Sequence, residues 1–321
     1  MPALALSPLP VDRPWGGHRI ARRFGWGDSR PRGEWWLASC RDDARTPLRS
    51  RADGAPADLA AWLAGPGRGL GLPAPADFPL LVKFLDSEQL LSLQVHPDDA
   101  VAARQGLPRG KTEAWVVLEA EPGAGVYLGT AEGVAAATLL DRVAAGAGDD
   151  EVRSLLRRIE VGPGDVLLVR AGTVHAIGPG LAIFEVQQNS DTTWRIHDWG
   201  RGRPVHLAQA RQAARDLAPP VVLRAAARGA AAAGAGGGAG AWQSLLATDA
   251  FTLRAARVSG RQALGVPRRY ALLTVLEGHG RLSQEGRPEG RLELAPGDTV
   301  FVHEPAVLEG EALSVLVVDP P

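Results

Sequence analysis

Two histidines, a glutamate and a glutamine stand out as groups able to share one metal ion. Gln94 and His96 lie two apart in SLQVHP, Glu113 opens the apolar run of GKTEAWVVL, and His175 follows the turn in RAGTVHA. Two imidazoles, a carboxylate and an amide oxygen suit a first-row metal, with water completing the shell. Zinc fits this set without a sulfur ligand, and Fe(II) accepts the same two histidines and carboxylate. Either histidine alone would read as an ordinary core or surface residue. The combination is what points to a metal.

A second group follows in QQNSDTTWRIHDWGRGRP, residues 187–204. If TTWRIHDW is extended, Arg195 and His197 share one face and Trp194, Ile196 and Asp198 the other. An arginine near a metal can steady a developing oxyanion or hold an anionic substrate. Paired with Asp191, Arg195 would instead brace a turn. Glu185 shares a face with Gln187, which makes it a candidate for acid–base work or for supporting the metal ligands. Of 35 basic residues only Lys83 and Lys111 are lysines. A lysine kept in so arginine-rich a chain suggests a need for a compact ammonium, most clearly at Lys111.

These side chains need strands to hold them. In SLQVHPDD, Ser92, Gln94 and His96 fall on one face and Leu91, Leu93 and Val95 on the other, so the polar row either meets water or lines a polar cavity. Strand-like runs recur at 80–85, 90–96, 113–120, 125–129, 164–169 and 181–188, punctuated by Gly and Pro. Short helical patterns fall at 58–64, 98–105, 131–146 and 205–217. Many short strands with such turns predict a mainly β chain of sandwich or barrel type.

The Ala/Gly run at 224–241 reads as a flexible linker between an N-terminal domain, 1–223, and a smaller C-terminal one, 242–321. VGPGDVLLVRAGTVHAI (161–177) and LAPGDTVFVHEPAVLEG (294–310) share a P-G-D-x-x-x-V rhythm, which suggests two copies of one barrel unit. Only the first carries a histidine at the matching offset. The second is expected to lack a metal site.

Composition narrows the function classes. A net charge of −1 with 22% charged residues gives no electrostatic case for nucleic acid or an anionic membrane surface. No apolar run reaches the length of a membrane span. The N-terminus lacks a basic n-region and breaks its apolar stretch with prolines, so no secretory leader is expected. A single cysteine, Cys40, rules out an internal disulfide and fits a reducing cytoplasm.

QVHPDD, GKTE and QNSDTT, in this order, together with RPWGG (13–17) and GEWWLAS (33–39), resemble the type I phosphomannose isomerases of the cupin superfamily, in their short bacterial branch. The resemblance spans most of residues 10–210 and continues more faintly into VLEGHGRL and LAPGDTVFV. It implies two cupin (jelly-roll) barrels with a few short helices. It also implies interconversion of mannose 6-phosphate and fructose 6-phosphate through a cis-enediol, with one Zn²⁺ per chain. Matched by motif, it puts the zinc ligands on Gln94, His96, Glu113 and His175 and the catalytic arginine on Arg195. It puts the phosphate contacts on Ser92 and Lys111 and an acidic site residue on Asp191. Glu185, Lys111 and His197 are candidates for moving the proton. The implied partner is a small sugar phosphate, and the chain would work as a monomer or homodimer. A non-catalytic sugar-phosphate-binding cupin and an Fe(II) cupin dioxygenase are the alternatives. The chain departs from the family pattern at Arg170, which replaces the proline of the turn before His175, and at His303, Trp115 and Trp194.

Overall fold

The computed structural model describes residues 3–49, 56–225, 242–284 and 287–321. Two compact units form. One gathers residues 11–34 and 84–225; the other gathers the described parts of 1–10, 35–83 and 226–321. The chain is mainly β, as expected. Most of the expected linker, 226–241, lies outside the described residues. The units differ from a division at that run, because residues 1–10 and 35–83 join the C-terminal segment.

In the first unit a five-stranded antiparallel sheet runs in the order Leu156–Glu160, Gly125–Thr130, His175–Ile177, Leu93–Val95, Trp194–His197. A second sheet runs Val221–Leu223, Val166–Val169, Glu113–Ala120, Leu181–Gln188. Their inner faces share one apolar core. Val126, Leu128 and Ile177 come from the first sheet, and Trp115, Val117, Leu167, Val169 and Ile183 from the second. Each such fully buried side chain contributes about 1.5–3 kcal/mol, which holds the two sheets face to face as a small barrel.

The outer face of the five-stranded sheet is apolar too. Leu93, Val95, Ala176, Trp194 and Ile196 pack there against helices Asp99–Arg104, Ala136–Ala144, Asp149–Ser154 and Leu207–Ala213. Leu91 departs from the expected alternation. The strand begins only at Leu93, and Leu91 belongs to the inner core beside Ile177, whose carbonyl accepts its N–H at 2.9 Å.

In the second unit the sheet runs Ala3–Leu6, Thr299–Val302, Ala271–Gln284, Ala306–Asp319, Thr252–Leu264, Gln243–Ala247, with Arg287–Leu294 also on Ala271–Gln284. The N-terminal ALAL stretch is thus a strand of this sheet, Ala3 facing Val302 and Leu6 facing Thr299. Its three longest strands have 13 or 14 residues. The strand Ala271–Gln284 carries glycines at 278 and 280, which in sequence would read as a break. The strand instead passes through register shifts between Val275 and Glu277 and between Glu277 and His279, with Gly278 at φ 78°. A Cβ at Gly278 would meet the Ala312 carbonyl oxygen at 2.7 Å, so the bulge requires glycine. No helix among the described residues is long and apolar enough to cross a membrane.

Candidate active site

His96 lies one residue past the strand Leu93–Val95, where Pro97 ends extended pairing and Asp98 caps the next helix by accepting the Val101 N–H at 2.7 Å. The GKTE loop packs onto that turn. A Cβ at Gly110 would lie 2.6 Å from the Asp98 carbonyl carbon, so only glycine permits this approach. The Lys111 N–H then bonds the Pro97 carbonyl at 3.0 Å, which brings Lys111 and Glu113 beside His96. The turn 170–174 is laced to the same place. The Gly172 N–H donates to the His96 carbonyl at 2.8 Å, and the Ala171 N–H to Thr112 Oγ1 at 3.3 Å.

The outcome is a buried trio. The ligand atoms of His96, Glu113 and His175 all lie within 4.8 Å of one another. His96 Nε2 is 3.6 Å from Glu113 Oε2, and His175 Nε2 is 3.4 Å from Glu113 Oε1. The opposite ring nitrogens face backbone carbonyls: His96 Nδ1 lies 2.8 Å from Thr192 O, and His175 Nδ1 lies 2.9 Å from Thr173 O. A carbonyl can only accept, so each Nδ1 carries the proton and each Nε2 offers a lone pair. Burial pushes the His175 pKa down to about 4, which keeps that ring neutral and able to coordinate. His175 Nε2 has no hydrogen-bond partner among the described residues, although it is buried. An orphaned lone pair aimed at a carboxylate and a second imidazole fits a metal ion.

Gln94 is tied to this trio by register. It stands opposite His175 on one neighbouring strand and opposite Arg195 on the other, so the three form one row across the sheet. Directly opposed residues share a face, which turns all three to the barrel interior. Ser92 is buried two residues earlier. Lys111 is buried as well, its Nζ 3.2 Å from both Glu113 Oε2 and His96 Nε2. Lys83 is buried in the strand Leu80–Ser87.

Glu113, Trp115, Glu185 and Gln187 line the facing sheet, with Glu113 opposite Gln187 and Trp115 opposite Glu185. The Trp115 Nε1–H donates to Glu185 Oε2 at 2.9 Å. Its ring also meets that of His175 edge-on, centroids 5.7 Å apart. Glu185 therefore anchors a residue that braces His175. Sequence reading took Trp115 only as a departure from the family pattern. Its position two residues after Glu113 was the available signal.

Arg195 is half-buried. Its Nη1 donates to the Pro204 carbonyl at 2.7 Å, and its Nε lies 3.7 Å from Asp198 Oδ1. Asp198 also holds Arg203 at 2.5 Å and Arg201 at 3.3 Å. Burial raises the Asp198 pKa, but the Arg203 side chain and backbone N–H outweigh it and keep the carboxyl below its usual range. The Arg195–Asp191 pairing considered above does not form; Asp191 is exposed on the loop beside Thr192.

His197 does not share a face with Arg195. The register shifts between them, so that Arg195 opposes Gln94 while His197 opposes Leu93, a residue of the outer core. His197 Nε2 lies 3.7 Å from Asp149 Oδ1 on the outer helical layer, and burial depresses its pKa. A β-bulge adds one residue and thereby reverses the facing that strict alternation predicts.

No family model matches the chain. It is 34% identical to a mannose-6-phosphate isomerase of Streptococcus mutans over 286 residues, 84% of this chain and 83% of that protein. It is 33% identical to the mannose-6-phosphate isomerase ManA of Bacillus subtilis over 216 residues, 64% of each. The crystal structure of a mannose 6-phosphate isomerase from Bacillus subtilis superposes with a TM-score of 0.79 at 25% identity, covering 99% of both chains.

Proposed function

The chain belongs to the mannose-6-phosphate isomerases, and from that premise we propose that it interconverts mannose 6-phosphate and fructose 6-phosphate with one zinc ion per chain. The observation that carries this reading is the buried trio of His96, Glu113 and His175, with both Nδ1 atoms tied to carbonyls and both Nε2 atoms turned to one carboxylate. Gln94, in register with His175, would add a fourth donor. Bound zinc would supply Lewis-acid polarisation of the sugar oxygens.

An open-chain aldose becomes its ketose when the hydrogen on C2 moves to C1 and the hydroxyl proton on O2 moves to O1. The proton leaves C2, a cis-enediol forms, and a proton returns to C1. Arg195, in the row with Gln94 and His175, balances the negative charge that gathers on the oxygens. Lys111 stands at the metal donors, so its ammonium belongs with the oxygens on C1 and C2, where it can give and retrieve a proton. Ser92, farther back along the chain, takes the phosphate end. Glu185 positions Trp115 and His175, and Asp191 meets a sugar hydroxyl at the rim. A cytoplasmic setting fits Cys40, whose thiol burial pushes up to about 12.

The test is a coupled assay of fructose 6-phosphate formation from mannose 6-phosphate by metal-loaded, chelated and zinc-restored protein. Activity should vanish on chelation and return with zinc. Zinc-loaded protein without turnover would overturn the reading.

A further inference from the structure

We propose that this protein carries a second anion site, suited to a phosphate-bearing small molecule, on the outer side of the turn that delivers His175. A cavity of about 600 Å³ lies there, between the segment after Gly125–Thr130, the Arg170–Val174 turn and residues 215–220. None of His96, Lys111, Glu113, His175 or Arg195 lines it. The turn has two faces. Thr173 lines the cavity, while its carbonyl faces His175 Nδ1 on the other side.

The charge of the lining favours an anion. Arg157, Arg170 and Arg215 contribute three guanidiniums against the carboxylates of Glu132 and Asp216, a formal balance of +1. Asp216 is already engaged, accepting the Ala136 N–H at 2.7 Å. Arg215 gives Nη1 to the carbonyls of Gln212 and Ala214 and keeps its remaining donors. Arg157 and Arg170 make no ion pair or side-chain hydrogen bond among the described residues. Arg157 is nonetheless half-buried. A guanidinium partly withdrawn from water without a partner is costly unless an anion supplies one.

Guanidinium forks match phosphate oxygens two at a time, and two unpaired forks with a third nearby suit a dianion better than a carboxylate. The rest of the wall includes Val134, Leu168, Pro219 and Pro220, which would receive a non-polar body. A phosphate monoester with such a body meets both requirements. Arg170, on the exposed lip, gives this otherwise unexplained residue a role.

The test is calorimetric titration of the full zinc-loaded chain with phenyl phosphate, and with benzoate for comparison. The wild-type protein should bind phenyl phosphate saturably, and Lys111→Ala should retain that binding. Arg157→Ala/Arg170→Ala should weaken it by about tenfold or more, and Arg170→Gln alone by about threefold. Arg170→Gln breaks no ion pair or side-chain hydrogen bond among the described residues, so it reads the site even if the double variant fails to fold. Wild-type protein that does not saturate below about 10 mM overturns the proposal. So does binding that the arginine variants leave unchanged, or that Lys111→Ala alone abolishes. Benzoate binding as tightly as phenyl phosphate overturns the phosphate assignment.

Discussion

Lys111 Nζ stands 3.2 Å from Glu113 Oε2, and both side chains are almost wholly withdrawn from water. Glu113 also holds the centre of the candidate metal trio. A bound cation and the ammonium therefore draw on the same carboxylate. When no metal is bound, the ammonium balances a buried charge; when one is, the two cations repel.

This gives Lys111→Met opposite effects in the two states. The metal-free variant should lose about 3–5 kcal/mol of stability, because a buried carboxylate is left uncompensated. The zinc-loaded variant should lose much less, and its zinc affinity should rise by about tenfold as a competing charge disappears. Urea unfolding with and without zinc, together with chelator competition, measures both. Equal destabilisation in the two states would sink the argument. Turnover should fall whichever state is more stable.

Arg195→Ala should lower kcat by about 10²–10³ while zinc content stays at one per chain. The arginine faces the barrel through its register with Gln94, and its Nη1 is held by the Pro204 carbonyl rather than by an imidazole of the trio. Loss of zinc from this variant, seen by metal analysis, would mean that it shapes the ligands and does not act on charge in the reaction.

Trp115→Phe keeps a ring near His175 but removes the Nε1–H that Glu185 accepts. Support of this kind behind a metal ligand commonly amounts to about 10–100-fold in affinity. Zinc affinity should fall toward the lower end of that range, with Arg195-dependent charge stabilisation unaffected. A chelator titration showing wild-type affinity would remove Trp115 from the supporting structure of the site.

Asp198 predicts an acid limb to stability. Its folded pKa lies below the usual carboxylate value, so folding favours the charged form. The stability it contributes is complete above the unfolded value of about 3.9 and is lost as pH falls through the lower folded value. Asp198→Asn should be less stable near neutrality and should show a flatter decline in acid. Parallel acid curves for variant and wild type, followed by denaturant unfolding at each pH, would contradict this.

Leu6→Ala should cost about 2–5 kcal/mol, as expected for a fully buried leucine. Exposed tail residues typically change stability by less than about 0.5 kcal/mol. Thermal unfolding of the single variant separates the two cases, because the strand Ala3–Leu6 is either part of the sheet it pairs with or dispensable to it.

Much of the site was legible because its spacing is local. His96, Glu113 and His175 each sit at a strand end or one residue beyond it, within three residues of a turn residue whose chemistry shows in sequence: Pro97, Gly110 and Gly172. What alternation could not reveal was the bulge after Arg195, since an added residue leaves no mark in a period-two pattern. The same limit hides the continuity of Ala271–Gln284 across Gly278 and Gly280, where the register shifts without ending the strand. The pairing of Ala3–Leu6 was equally hidden, because a four-residue strand carries too little pattern to name its partner.

That pairing sets a delay on synthesis. The strand Ala3–Leu6 is made nearly 300 residues before its neighbour Thr299–Val302. At about 5–20 residues per second the wait is on the order of 15–60 s. Through that interval the segment has its contacts with residues 47–49 but lacks its neighbour in the sheet. Slower translation lengthens that interval and should therefore lower the yield of this protein through the strand Ala3–Leu6.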